Sequence, residues 1–419
     1  MLKNSNYICA LDIGSSKISA ALAVIKKHQI ISLHCQTLPI RCMRRGSIVD
    51  SIDLVDDIGQ LIKNIRTQTG IAVKYVYTNI SGADILTKHS RAIIPLAERG
   101  NKVITPADIK RVNEQARILG SSLDEETIHQ IPSSYSIDTK SNILNPLGLY
   151  SHKLEVDLYL VCGKLSAMQS LSRVVNQSGL DIKGLYFSGI ATSDVVFNPA
   201  QRKGIHVLCD IGKDITEIVL FQEGLLQNIK ILPFGGDDFT VELSNELKIP
   251  FELAEDVKRS HGFVGDADSI SGDKEILVKE ERAYKPIKQK RVVEIVTSRS
   301  QVLSQAVKEA VECLIPLNQI DSFTVCGRAL LLDGFLESFE RVIGIPVKLG
   351  RLNSSDIVPL ASQSDSLSGQ HYLTYVTALG IISLALRQER PQLISEAIVP
   401  PNLLARSINK VREVYQEYF

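Results

Sequence analysis

The sequence predicts a bilobal α/β protein built from two related halves, with a smaller α+β unit inserted in the first. Three observations carry that expectation. Strand-like and helical apolar patterns alternate along the chain, the arrangement that layers helices on sheets. Tyr7–Ala23 (YICALDIGSSKISAALA) is echoed by His206–Phe221 (HVLCDIGKDITEIVLF). Each is an apolar run, Asp-Ile-Gly, a short polar stretch and a second apolar run, the pattern of two strands joined by a tight turn. Finally, Asp12 and Asp210 lie almost half of the 419 residues apart, as two repeated halves require.

Composition narrows the class. Lys+Arg and Asp+Glu number 47 each, so the formal charge is zero, and hydrophobic residues make up 44%. That balance excludes a disordered or fibrous chain, and neutrality argues against nucleic acid as a partner. The seven cysteines are scattered without a Cys-x-x-Cys pair, which points to a reducing compartment and away from a disulfide framework or zinc site. The opening MLKNSNYICALDIG has no signal-peptide pattern. The longest apolar stretch, around Ala378–Leu386, is half of the roughly 20 residues that span a bilayer. The expectation is a soluble, cytoplasmic chain, free to lie on a membrane surface.

In chain order, the first hairpin opens a core unit expected over 1–81 and 162–200. Ile52, Val55, Ile58, Leu61, Ile62 and Ile65 repeat at helical spacing from Ser51. The insertion is expected over 82–161. Strand-like runs at Tyr75–Ile80, Ile85–Pro95, Thr127–Ile137 and Lys153–Val161 surround a helix started by Thr105-Pro106 and running to about Leu119. There a capping hydroxyl precedes a proline in the first turn.

The second half repeats the plan over 201–236 and 317–388, interrupted by a subdomain at 237–316. Gly262–Lys274 is a polar, Gly-rich loop and Ile276–Val278 a short strand. Ile295, Val296, Val302, Leu303, Ala306, Val307, Ala310, Val311 and Leu314 trace one face of a long helix from Val292. Ser322–Val325 is a buried strand, Phe335–Ile343 a helix and Tyr372–Leu386 a mostly buried helix. Arg390-Pro391 and Pro400-Pro401 punctuate a linker over 389–401, and 402–419 form a last helix.

The residues that can carry chemistry cluster at the turns. Gly14 lets backbone N–H groups close on phosphate oxygens, and Ser15, Ser16 and Lys17 add hydroxyl and ammonium donors. Gly212, Lys213 and Thr216 occupy the matching turn. Asp12 and Asp210 then face each other across a cleft, placed to hold Mg2+ through water; the alternative is two plain β-hairpin turns. Pro233-Phe234-Gly235-Gly236-Asp237-Asp238 is a Gly-Gly turn at a helix start, where free N–H groups and the dipole favour an anion, unless Asp237 or Asp238 simply caps the helix. Val325-Cys326-Gly327-Arg328-Ala329 runs from a strand through a glycine turn into a helix, so a flat base can pack on backbone; a tight strand–helix connection has the same sequence. Glu255 and Lys258 share a helix face and can clasp a ribose and base edge, or form a solvated ion pair. In the tail Leu404, Ile408, Val411, Tyr415 and Tyr418 share one face with Phe419 beside it. Such a helix suits a lipid headgroup region, or packs on its own protein.

This order of elements resembles the actin/Hsp70-like ATPase superfamily, with its bilobal ribonuclease H-like fold, and within it the FtsA family of bacterial cell-division proteins. DIGSSK at Asp12–Lys17 is similar to that family's first phosphate loop, and Gly46-Ser47-Ile48-Val49-Asp50 to its next signature. His129–Asp138 (HQIPSSYSID), Asn145-Pro146-Leu147-Gly148 and Leu154-Glu155-Val156 resemble its distinctive inserted subdomain. Leu225, Pro233-Phe234-Gly235-Gly236 and Leu253-Ala254-Glu255 with Lys258 match in the second half.

The resemblance implies ATP and Mg2+ as cofactors, self-assembly into filaments, and a C-terminal helix that targets membrane lipid. It implies the C-terminal peptide of the tubulin-like FtsZ as a partner, docked on the subdomain of the long helix. Arg299 there is either a contact or a plain surface arginine. It further implies a place on the inner face of the membrane at the division septum, with later division proteins as additional partners. Two departures fall at the nucleotide. The second phosphate loop carries Lys213, Asp214, Ile215 and Thr216 where the family is rich in glycine and threonine, and the adenosine turn has a single Gly327 between Cys326 and Arg328. An aspartate beside a triphosphate repels it and Lys213 offsets that, so weak binding with little or no hydrolysis is expected. No residue stands out as a water-activating base. Two other readings share the superfold. An actin-like scaffold of a type IV pilus machine would keep the hairpins and the insertion without needing the tail. A sugar or acetate kinase would need a sugar-binding segment, and none is evident.

Overall fold

The structure, a computed structural model, describes residues 6–26, 29–97, 100–197, 203–270, 274–280, 283–361 and 367–398. The chain opens with β1 (Asn6–Ile13) and β2 (Lys17–Lys26), antiparallel with Asp12 opposite Ser19, and β3 (Gln29–Pro39) extends the meander. A small hairpin of β4 (Met43–Arg44) and β5 (Ser47–Ile48) turns on Arg45 and Gly46, both at positive φ, the two-residue geometry that matches strand twist. The helix α1 (Ser51–Thr69) is capped by the Asp50 carboxylate and closed by left-handed Gly70, with Leu54, Ile58, Leu61 and Ile65 buried. After it, β6 (Tyr75–Ile80) lies parallel to β1.

The inserted unit comprises β7 (Ile85–Pro95), β8 (Lys102–Val103), α2 (Pro106–Leu119), β9 (Glu125–Ile137), β10 (Lys140–Ile143), β11 (Tyr150–Ser151) and β12 (Lys153–Lys164). Its main sheet runs β10-β9-β12-β7, and α2 lays Val112 and Ala116 on it over a small core of its own. The chain returns through α3 (Leu165–Gln177), β13 (Asp181–Phe187) and α4 (Ser188–Val196), which completes a first-lobe sheet ordered β13-β6-β1-β2-β3.

The second half contains β14 (Ile205–Ile211), β15 (Thr216–Gln222), β16 (Leu225–Leu232), α5 (Gly236–Leu247), α6 (Phe251–His261), β17 (Glu275–Glu280), β18 (Ala283–Lys288) and α7 (Gln289–Glu312). It ends with β19 (Ser322–Cys326), a 3-10 turn at Arg328–Leu331, α8 (Phe335–Ile343), β20 (Val347–Leu349), α9 (Val358–Ala361) and α10 (Val376–Ile398). Its sheet order, β16-β15-β14-β19-β20, repeats that of β3-β2-β1-β6-β13, with β14 antiparallel to β15 and parallel to β19. The echo of Asp-Ile-Gly in the sequence is therefore a repeat in space, and both aspartates sit near the C-terminal ends of central strands.

Burial explains α10. Ala378, Leu379, Ile381, Ile382, Ala385 and Leu386 are all at most 1% exposed and join a core that reaches Leu208 and Val219 of the second lobe. A helix apolar all round is a buried helix, and among the described residues no helix is long and apolar enough to cross a membrane.

Several local expectations need correction. The stretch from 389, read as the start of a linker, continues α10 through Pro391 to Ile398; a proline interrupts one helical hydrogen bond, and the buried turns before it have already fixed the register. Ile276–Val278 is one arm of a hairpin whose other arm, β18, was not expected and contains Pro286. A two-stranded ribbon has an open edge for a residue lacking N–H, and Pro286 stands opposite Leu277. Gly327 leads into a 3-10 turn instead of an α-helix. The tail at 402–419, with Leu404, Ile408, Val411, Tyr415, Tyr418 and Phe419, lies outside the described residues.

Candidate functional site

The lobes enclose a cleft of about 1190 Å3, lined by both hairpin turns, the start of α5, one face of α6 and the Gly327 turn. Of the residues expected at a nucleotide, Asp12, Gly14, Ser15, Ser16, Lys17, Asp210, Gly212, Lys213, Gly236, Glu255, Lys258, Gly327, Arg328 and Ala329 all line it. Two do not. Thr216 is fully buried and donates to the Phe234 carbonyl at 2.9 Å. Side chains alternate along a strand, so Glu217 faces the cleft in its place. Gly235 sits behind Gly236, where a Cβ would come within 2.5 Å of the Gly212 carbonyl.

In each hairpin the turn glycine closes the loop, Gly14 N–H to Lys17 O at 3.1 Å and Gly212 N–H to Ile215 O at 2.9 Å. Among the described residues, the N–H groups of Ser15, Ser16, Lys213 and Asp214 have no hydrogen-bond partner, and all four residues line the cleft. Unpaired amides of this kind form an anion cradle. The start of α5 behaves differently from the expectation. Its N–H groups are engaged: Gly236 donates to Gly212 O (2.9 Å), Asp237 to Lys213 O (2.6 Å), and Gly235 to the Asp238 carboxylate (2.7 Å). The Gly-Gly turn seats the second hairpin on α5 and leaves the helix dipole as its contribution to an anion.

The carboxylates are buried. Asp12 accepts from Asn79 Nδ2 at 2.9 Å, and Asn79 Oδ1 accepts from the Ile13 N–H at 2.8 Å. Burial pushes Asp12 above its usual range, against the pull of Lys17 and Asn79. Burial, then the neighbouring Asp12, pushes Asp210 up to about 6. Glu217 rises to about 8 from burial and from Asp210, so it holds its proton at neutral pH. Lys17 is lowered by burial, with Asp12 opposing; its ammonium, 3.9 Å from Asp12, also meets the Thr374 carbonyl and Ser19. Among the described residues no three His, Cys, Asp or Glu side chains form a ligand set for a metal.

At the other end, Glu255 and Lys258 are no solvated pair. They meet at 2.5 Å, and Lys258 also donates to Gly236 O (3.0 Å) and Thr240 Oγ1 (2.7 Å). Burial would raise Glu255, but Lys258, Thr240 and Arg259 together bring it down to about 2. Arg328 faces this network, lowered by burial and by the Arg259 charge. Gly327, at φ +101, is required: a Cβ there would lie 2.2 Å from the Ile211 carbonyl. Arg299 on α7 is about three-quarters buried and bonds Asp238 at 2.9 Å, so it braces the start of α5 instead of standing free on the surface.

The comparisons with known proteins agree with this geometry. The family model described as cell division protein FtsA matches residues 207–380, and that of the SHS2 domain inserted in FTSA matches 82–162; together they span more than half of the chain. The chain belongs to the FtsA family. The cell division protein FtsA of Pseudomonas aeruginosa is 25% identical over 359 residues, covering 83% of this chain and 84% of its relative. Among solved structures, a PilM-PilN type IV pilus biogenesis complex superposes with a TM-score of 0.63 at 15% identity, over 90% of this chain and 98% of the other. MreB5 of Spiroplasma citri bound to ADP gives 0.52 at 12% identity, over 91% and 98%. At those identities the structures establish the actin-like fold and nothing further.

Four cleft residues were not among the expected site residues. Asn79 lies near the end of β6 and Ser81 just past it, with no motif around them, and Asp214 was read only as a repulsive charge. Glu217 had one signal, an acidic residue inside the apolar run TEIVLF, where a buried carboxyl needs a reason.

Proposed function

We propose that this chain is a cell-division protein that binds ATP with Mg2+ in the cleft, assembles into filaments and tethers FtsZ to the inner face of the cytoplasmic membrane at the septum. Membership of the FtsA family supports the division role. The observation that carries the nucleotide role is the set of four unpaired amides, Ser15, Ser16, Lys213 and Asp214, placed on opposite hairpins beside Asp12 and Asp210. Those amides and the Ser15 and Ser16 hydroxyls would take the phosphates. Asp12, oriented by Asn79, and Asp210 would hold Mg2+ through water, which would neutralise the phosphate charge. The base would lie on Gly327 and Ala329 beside Arg328, with the Lys258–Glu255 network at the ribose. The MreB5 structure holds ADP in the same fold. Glu217 keeps its proton at neutral pH and so offers no basic lone pair, which fits slow or absent hydrolysis.

FtsZ's C-terminal peptide would dock on the 237–316 subdomain, and Arg299 would contact it by exchanging its Asp238 partner for a peptide carboxylate. Leu404, Ile408, Val411, Tyr415, Tyr418 and Phe419 would enter the lipid surface as one helical face. Calorimetric titration with ATP tests the cleft. Asp12→Ala should weaken binding at least tenfold, about 1.4 kcal/mol, and an unchanged affinity would remove the cleft as the nucleotide site.

A further inference from the structure

We infer that the second phosphate hairpin closes the cleft with its own side chains, so that the two lobes are held together without a nucleotide. Two residues that depart from a glycine- and threonine-rich loop, Lys213 and Asp214, make ties, and Glu217 on the strand that follows makes a third. Asp214 reaches across to the first lobe, where its Oδ2 accepts the Arg45 N–H at 2.6 Å. Glu217 accepts from the Ser81 hydroxyl. Lys213 Nζ donates to the Ser15 carbonyl at 3.4 Å and lies 3.7 Å from Asp237 on its own lobe.

The anchor points on the first lobe form one rigid piece. Arg45 and Gly46 are the two turn residues of the β4–β5 hairpin, both at positive φ. The first N–H of such a turn falls outside the hairpin ladder and needs an external acceptor. Gly46 is pressed against Ser81-Gly82 so closely that a Cβ on Gly46 would lie 2.3 Å from the Ser81 carbonyl, and one on Gly82 2.4 Å from the Arg45 carbonyl. The Arg45-Gly46 and Ser81-Gly82 turns therefore move together, and Asp214 and Glu217, three residues apart on one hairpin, hold that single piece at two points.

Both acceptors are buried, Asp214 at 9% and Glu217 at 4% exposure. With the lobes closed, removing one partner would leave a buried polar group unpaired, which is more costly than losing an exposed pair. A loop of glycines has no side chain to offer in this position. The hairpin therefore supplies its own bridge, and the occupant of the cleft adds little to closure.

The test is the distance between lobes, measured by pulsed electron resonance on the full chain. One spin label goes on Cys313, the exposed thiol at the end of α7, and one on Ile52→Cys on α1, where the side chain is 75% exposed. The wild-type background without nucleotide should give one narrow distance distribution, unmoved by Mg-ATP. The double variant Asp214→Gly, Ser81→Ala should give a broader, longer distribution without nucleotide. Ser81→Ala alone, which keeps the Arg45 tie, should move it in the same direction by less, and thermal unfolding of each variant confirms a folded chain. A broad wild-type distribution that narrows only on adding nucleotide would overturn the inference, as would a folded double variant indistinguishable from wild type. The nucleotide-free comparison does not depend on ATP binding, so a failed ATP titration and a failed clamp are separate results.

Discussion

Glu217 places a carboxyl at the floor of the cleft, 4% exposed and bonded to Ser81, and its cost depends on pH. Unfolded, it titrates near 4.5; folded, near 8. Below 4.5 both states carry the proton and nothing is lost. Between 4.5 and 8 only the folded chain keeps it, so stability falls as pH rises, and above 8 the loss is complete. Glu217→Gln removes that term. Its midpoint of thermal unfolding relative to wild type should climb by about 2–6 °C between pH 5 and pH 8, and a difference that stays constant over that range would contradict the burial described here. The same residue marks the limit of reading the sequence. Gly14, Asp12 and Lys17 are legible because a turn motif fixes their neighbours. Thr216 and Glu217 are adjacent in a strand, and which one faces the cleft depends on register that local sequence does not state. Gly235 and Gly236 were legible as a turn, but whether their N–H groups stay free depends on a hairpin some twenty residues earlier.

At the scale of elements, the best-read segments are those whose signals are local. Thr105-Pro106 starts α2 as expected, and a full capping box closes it: Thr105 Oγ1 accepts from the Asp108 N–H while Asp108 Oδ2 accepts from the Thr105 N–H at 3.0 Å. The Thr105 hydroxyl is the main cause that holds Asp108 below its usual range, ahead of its backbone N–H and Lys102 and against partial burial. Thr105→Ala should destabilise the inserted unit by about 1 kcal/mol, read as faster amide exchange along α2, and exchange rates equal to wild type would contradict the cap's role. Elements read poorly are those whose signals point the wrong way. β18 holds a proline, Pro286, inside the strand, and Pro391 suggested a break in α10 where the helix continues. In both places tertiary packing outweighed a residue that local propensity alone would exclude.

At the scale of the whole molecule, the duplicated Asp-Ile-Gly hairpins predict two lobes, and the structure gives two sheets of matching order facing one cleft. Besides the shared core under α10, the lobes are tied by Asp214, Lys213 and Glu217; the first two stood in the sequence only as departures and Glu217 not at all, because a tie between distant segments has no local signature. The proposed tether would join this body to residues 402–419, and the most direct test asks for both ends at once. A labelled C-terminal FtsZ peptide from the same organism should sediment with anionic liposomes only when the full chain is present, and should stay in solution with a chain truncated at 401. Peptide carried down equally by the truncated chain, or left in solution by the intact one, would contradict the tether.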